Sequence, residues 1–232
     1  MNNLLDALLA DQGLSRAVEC FNAAPPYQSW VYGVTGTQKN AYIAAAYRTK
    51  QRPTVIITAK QENIEQMQAD LSSLLPDTAI VELPPQDIVT FRTEARSMEL
   101  AAKRMDVFSR MVRGETLIIL ATAEAAMQKV MSRPDFESSR LSLFPGLVIN
   151  SEDLIAALVR LGYERLERVD SWGQFSARGG IIDIFPINRE LPVRLEYFGD
   201  EIDSLREYDP GSQRSVAAID RADIFPLAEP EH

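Results

Sequence analysis

Two stretches of the 232-residue sequence hold side chains whose types and spacing suggest chemistry. The first is Gly33-Val34-Thr35-Gly36-Thr37-Gln38-Lys39-Asn40, between an apolar run and a helical pattern. A phosphate loop of the form G-x-x-x-x-G-K-S/T belongs in such a place. Gly33 and Lys39 fit it, whereas Gln38 replaces the second glycine and Asn40 the hydroxyl. That glycine lets backbone amides turn toward phosphate, and the hydroxyl ligates Mg²⁺. With both lost, the loop (Gly33, Gly36, Gln38, Lys39, Asn40) reads as degenerate and structural, with weak anion binding at the helix start as the lesser alternative. No Asp-Glu pair follows the apolar run Leu117 to Ala121 to supply a second nucleotide motif.

The second stretch is Pro192 to Phe198, read as a strand. Alternation puts Arg194, Glu196 and Phe198 on one face and Val193, Leu195 and Tyr197 on the other, core-facing one. An arginine and an aromatic ring sharing an outer face is the composition of a binding hot spot. The plainer alternative pairs Arg194 with Glu196 or another carboxylate and tucks Phe198 under an edge; the residues alone favour it. Arg178 precedes Gly179-Gly180, beside an expected bend, and either covers a sheet edge or joins that face. Asp183, among apolar neighbours, reads as a structural hydrogen-bonding group rather than a catalytic base.

The inventory excludes other chemistries. The only histidine is His232 and the only cysteine Cys20, so a zinc site, a catalytic triad and an internal disulfide are out. Asp200, Glu201 and Asp203 lack the spacing of a calcium loop. No catalytic residue, cofactor or metal is expected. The net charge of -9 opposes non-specific binding to nucleic acid. Lys103, Arg104, Arg110 and Arg113 are interleaved with Glu94, Glu99 and Asp106, which favours a solvated helix face over a DNA contact. Met98, Met105 and Met111 read as core filling. No run reaches the ~20 apolar residues of a membrane span, and no secretory signal opens the chain. A cytoplasmic location is the resulting expectation.

These residues need a scaffold. Leu4 to Phe21 reads as one or two helices ending before Pro25-Pro26, and Trp30 to Val34 as a strand. Helices are expected over Lys39 to Thr49, from Ile64 to Leu74, over Glu94 to Arg113 and over Thr122 to Met131. Between them, Thr54 to Thr58, Ala79 to Leu83 and Leu117 to Ala121 read as buried parallel strands. The alternation predicts an α/β domain over residues 1–134. One helix, Ser151 to Leu161, precedes a strand-rich region with a hairpin turn at Gly199-Asp200, predicting an antiparallel α+β domain over 135–214. Residues 215–232, with a strand at Asp223 to Pro226, are expected to return toward the first domain.

The loop Gly33 to Asn40 and the block Gly173 to Pro186, continuing through Arg194 to Phe198 and Asp200 to Arg206, resemble one family closely. They resemble the N-terminal region of bacterial transcription–repair coupling factors, a module similar to the excision-repair helicase UvrB. In UvrB the phosphate loop is intact and a long aromatic hairpin separates DNA strands. Gln38, Asn40 and the short stretch Leu83 to Arg92 favour the coupling factors. The resemblance implies a degenerate UvrB-like parallel-sheet domain with an inserted domain that recruits UvrA, the damage-recognition ATPase of nucleotide excision repair. It implies UvrA-contacting roles for Arg178, Arg194 and Phe198, and no ATPase activity in this region. RNA polymerase and DNA would be met by regions further along such a protein, absent here. The alternatives from other classes are a UvrB-type ATP-dependent helicase module and a DNA-binding scaffold.

Overall fold

The computed structural model describes residues 2–21, 30–86 and 94–227. The chain divides into two compact units, Met1–Pro85 with Arg113–Gln128 and Gln86–Val112 with Lys129–His232.

In the first unit, α1 (Asn2–Ala10), α2 (Gln12–Phe21) and α3 (Thr37–Thr49) precede β1 (Thr54–Thr58), α4 (Gln61–Leu74) and β2 (Ala79–Leu83). The fully buried β3 (Leu117–Thr122) lies between β1 and β2 and is parallel to both. Leu5, Ala44, Ala45, Ile64, Met67 and Leu71 pack with Ile118 and Leu120 as the core. The expected α/β pattern therefore holds, with two corrections to its strands. Trp30 to Val34 forms no strand: Trp30 and Tyr32 are exposed, and the sheet's order leaves them no ladder. β1 is parallel but not buried: it is an edge strand, and Val55 and Ile57 are more than half exposed. A β-branched run reads alike at the edge and the centre of a sheet; only the neighbours differ.

The expected helix from Thr122 to Met131 is shorter, α6 (Ala123–Met127), with the Thr122 hydroxyl accepting from the Ala125 amide at 3.2 Å. A helix not expected from sequence follows in the second unit, α7 (Arg133–Ser139). Its signals were present: Ser132 accepts from the Asp135 amide as N-cap, and Pro134 occupies the first turn.

The long helix α5 (Glu94–Val112) also falls within the second unit, where Ala102 and Met105 pack with Met131, Phe136, Ile187 and Phe225. Two readings of its surface change. Arg104 is buried, its guanidinium 5.3 Å from the Phe108 ring centroid, and Met111 is half exposed rather than core. Lys103 pairs with Glu99 and Arg110 with Asp106, as a solvated helix face would. The stretch before Trp30 that includes Pro25-Pro26, residues 87–92 and the side chain of Met98 lie outside the described residues.

The rest of the second unit is a sheet against one helix. Asn150 caps α8 (Ser151–Arg160) by accepting from the Asp153 amide at 2.8 Å. Gly162, at φ +90°, ends it: the Gly162 amide reaches the Val159 carbonyl and the Tyr163 amide that of Leu158. The sheet comprises β5 (Glu164–Arg165), β6 (Gln174–Arg178), β7 (Ile181–Ile184), β8 (Val193–Phe198), β9 (Glu201–Tyr208) and β10 (Ser215–Ala218), adjacent in that order. All neighbours are antiparallel except β5 and β6. Leu154 and Leu158 pack on Phe175, Ile182, Ile184, Val193, Leu195, Ile202 and Leu205. Register places Asp203 of β9 in a bulge opposite β8, which lets Ile202 and Leu205, three apart, both reach that core. The strand expected near Asp223 forms as β11 (Ala222–Ile224), and its partner is β4 (Leu141–Leu143), so this ladder stays inside the second unit.

Candidate functional site

The two motif-bearing stretches end up in opposite situations. In the phosphate-like loop, Gly33 and Gly36 take positive φ (+80° and +53°), a backbone conformation that glycine adopts without strain. The chain then tightens into α3: the Gln38 amide donates to the Thr35 carbonyl at 3.2 Å and the Lys39 amide to the Gly36 carbonyl at 3.1 Å. Two amides that a phosphate would need are thereby engaged at home. Asn40, in the place of the metal-binding hydroxyl, is buried and turned inward. Its Nδ2 donates to Asp70 of α4 at 2.7 Å, while its Oδ1 is buried with no hydrogen-bond partner among the described residues. Gln38 and Lys39 are exposed. The last residue of the pattern, in the first turn of α3, ties that helix to α4.

The sheet of the second unit faces the opposite way from its core with a polar layer, read from register because directly opposed residues share a face. One row runs Ser176, Asp183, Arg194, Arg206; a second runs Arg178, Ile181, Glu196, Ser204. At the centre lies Asp183, 1% exposed. Arg194 grips it with two parallel hydrogen bonds, Nε to Oδ1 at 2.7 Å and a terminal nitrogen to Oδ2 at 2.8 Å; Arg178 adds a contact at 3.4 Å. Arg194 also donates to Gln213 Oε1 at 2.9 Å and lies 4.3 Å from the Tyr208 ring centroid. The Asp183 hydrogen bonds hold the Arg194 guanidinium above its ordinary pKa, outweighing its desolvation, and burial raises the Tyr208 hydroxyl. Gln213 itself sits at φ +61°, in the left-handed region, with Nε2 donating to the Pro210 carbonyl. Strain accepted at Gln213 holds the arginine in place.

The three residues singled out as partner-contacting therefore differ in character. Arg194 is largely covered, and the carboxylate it meets is Asp183; Glu196 instead accepts from Arg206 at 2.7 Å and Ser204 at 3.2 Å. The expected role of Asp183 as a structural hydrogen-bonding group agrees with these contacts. Arg178 keeps 59% of its side chain exposed. Phe198 is 82% exposed and lies under no edge. It ends β8, next to Gly199 at φ +63° in the hairpin turn, about 13 Å along the strand from Arg194. Opposite it stands Glu201, which bridges on its other side to Val148, so Phe198, Glu201 and the exposed Val148 form a row. Sequence spacing missed Val148, fifty residues upstream and outside any motif, and missed Gln213. Among the described residues no group of His, Cys, Asp and Glu side chains is arranged to hold a metal ion, and no helix is long and apolar enough to cross a membrane.

Comparison with known proteins adds the following. Residues 141–229 match the UvrB interaction domain family. The transcription-repair-coupling factor of Bacillus subtilis strain 168 is 33% identical over 197 residues, covering 85% of this chain and 17% of that protein. That of Staphylococcus aureus strain bovine RF122 / ET3-1 is 30% identical over 194 residues, covering 84% and 16%. The chain thus spans about a sixth of the length of the curated relatives it matches. The domain match lies over the sheet of the second unit, and the chain is similar to these transcription-repair-coupling factors over most of its own length.

Proposed function

We propose that this chain recruits UvrA in transcription-coupled nucleotide excision repair, docking it on the outer face of the second domain. The observation that carries the reading is Phe198, a large aromatic side chain 82% exposed at the end of a well-paired hairpin. A rigid ring that none of the described residues buries is the form of an interface anchor. Arg178 supplies a charged, exposed neighbour on the same sheet face, while Arg194, clamped by Asp183, keeps that face in shape. The domain at 135–214 is the docking module; the first α/β domain supplies architecture without ATPase activity of its own. The inward turn of Asn40 and the occupied amides of Gln38 and Lys39 support that second part. Contacts with RNA polymerase and DNA belong to other parts of the relatives' longer chains.

Calorimetric titration with UvrA tests the reading. Wild-type chain is expected to bind saturably, and Phe198→Ala to lose about 2 kcal/mol or more, over tenfold in affinity. The thermal midpoint of that variant should stay close to wild type, because exposed substitutions away from special features change stability by about 0.5 kcal/mol or less. Equal affinity in both proteins would remove Phe198 from the interface, and no binding by folded wild-type chain would remove the recruitment role.

A further inference from the structure

Among the described residues, Gln213 is the only non-glycine at positive φ, +61°. It lies in the loop from β9 to β10. The Gln213 amide donates to the Asp209 carbonyl at 2.8 Å and the Asp209 amide to the Arg214 carbonyl at 2.9 Å, so backbone bonds alone close that loop. A left-handed position of this kind is met most readily by glycine. The loop contains a glycine, Gly211, but it is not at positive φ. The strain falls instead on a residue with a long polar side chain, and strain of this kind collects where a side chain is needed for function.

That side chain spans two partners. Its Nε2 donates to the Pro210 carbonyl at 2.8 Å, and its Oε1 accepts from Arg194 at 2.9 Å. A guanidinium carries five N–H groups in one plane. In Arg194, Nε serves Asp183 and Nη2 serves both Asp183 and Gln213. Nη1 keeps its N–H groups without a hydrogen-bond partner among the described residues, and it is open to solvent. Asp183 holds one edge of the plane, Gln213 pins the next, and the Tyr208 ring, with its centroid 4.3 Å from the guanidinium carbon, backs its face. Once a rigid plane is held this way, the direction of its last nitrogen is set as well.

We infer that Gln213 is a positioning residue of the docking face: it aims the free Nη1 of Arg194 outward, as a donor to an acceptor oxygen of the recruited protein. A donor already aimed loses little freedom when a partner arrives. The inference rests on the recruitment reading and adds a preset polar contact to the Phe198 anchor.

Thermal unfolding and calorimetric titration with UvrA, on the full chain and on Gln213→Gly, test it. Glycine adopts φ +61° without strain, which offsets the two lost hydrogen bonds, so the thermal midpoint should stay close to wild type. Affinity for UvrA should fall about fivefold, the effect of one well-made hydrogen bond. Arg194→Met with Asp183→Leu removes the guanidinium and its buried partner together. In that background Gln213→Gly should cause no further loss of affinity, because nothing remains to be aimed. A purely structural Gln213 would lower midpoint and affinity together, and that result overturns the inference. So does wild-type affinity in Gln213→Gly, or an equal further loss in the Arg194→Met, Asp183→Leu background. In each of these outcomes the wild-type chain still binds UvrA and recruitment stands. Failure of folded wild-type chain to bind removes recruitment, and the inference with it.

Discussion

The loop at Gly33 to Asn40 and the face around Arg194 carry the chain's two family-like patterns, yet the protein uses them in opposite directions. In the loop, the residue at the position of a metal ligand turns inward and joins two helices through Asp70. On the sheet, one arginine of the pattern turns to a buried aspartate, but the aromatic ring four residues along the strand stays outside. A motif position fixes where a side chain is rooted; which way it points depends on the nearest unsatisfied partner. Near Asn40 that partner is a carboxylate of the neighbouring helix. Near Phe198 there is none among the described residues.

The sharpest way to break this comparison is to remove the inner arginine. Arg194→Ala leaves the Asp183 carboxylate buried with only the 3.4 Å contact from Arg178, and uncompensating a buried ion pair typically costs about 3–5 kcal/mol. Urea denaturation should show that loss, and Arg194→Met combined with Asp183→Leu should recover most of it. An Arg194→Ala variant as stable as wild type would mean that the arginine belongs to the partner surface and not to the fold. The expected loss of stability makes Arg194→Ala a poor probe of binding, because its affinity loss would mix docking with unfolding.

Next in size is the loop. Asn40→Ala removes a buried hydrogen bond to Asp70 and should cost about 1 kcal/mol, whereas Gln38→Ala, at an exposed position, should change stability by about 0.5 kcal/mol or less. Nucleotide titration of the Gln38→Gly, Asn40→Ser double variant sharpens the point. Restoring the consensus letters should still yield no saturable binding if the Lys39 amide keeps its bond to Gly36; tight binding would show that the loop lost only its letters.

The smallest expected effect is a pH dependence in the strand pair β4 and β11. Burial alone would raise the Asp223 carboxyl, but the Ser142 hydroxyl, Arg221 and Arg140 outweigh it and hold it below its ordinary 3.8. A carboxyl lowered in the folded state contributes stability that is fully present above 3.8 and is lost as pH falls through the lower, folded value. Thermal midpoints from neutral to acid pH should therefore fall less steeply for Asp223→Asn than for wild type. Identical slopes would show that the contacts of Asp223 carry no net stabilisation.

Much of this was legible in the sequence because local patterns decide it. The helices α3, α4 and α8 and the Gly199 turn all appear where spacing and turn chemistry place them. What was not legible depends on neighbours far along the chain. Trp30 to Val34 has strand-like residues but no strand beside it, and β1 has a core-strand composition but an edge position. The outer site divides the same way: Phe198 follows from alternation along one strand, whereas the Arg194 clamp needs Asp183 from β7 and Gln213 from a loop beyond β9. Val148 joins the Phe198 row only because its segment bridges Glu201.

The comparison is tested most directly by amide hydrogen exchange of the chain with and without UvrA. Slowed exchange is expected around the β8 to β9 turn, residues 196–202, with no change over residues 33–40. Protection over 33–40 with none at the turn would contradict it, placing the contact on the loop and leaving Phe198 an exposed ring without a role.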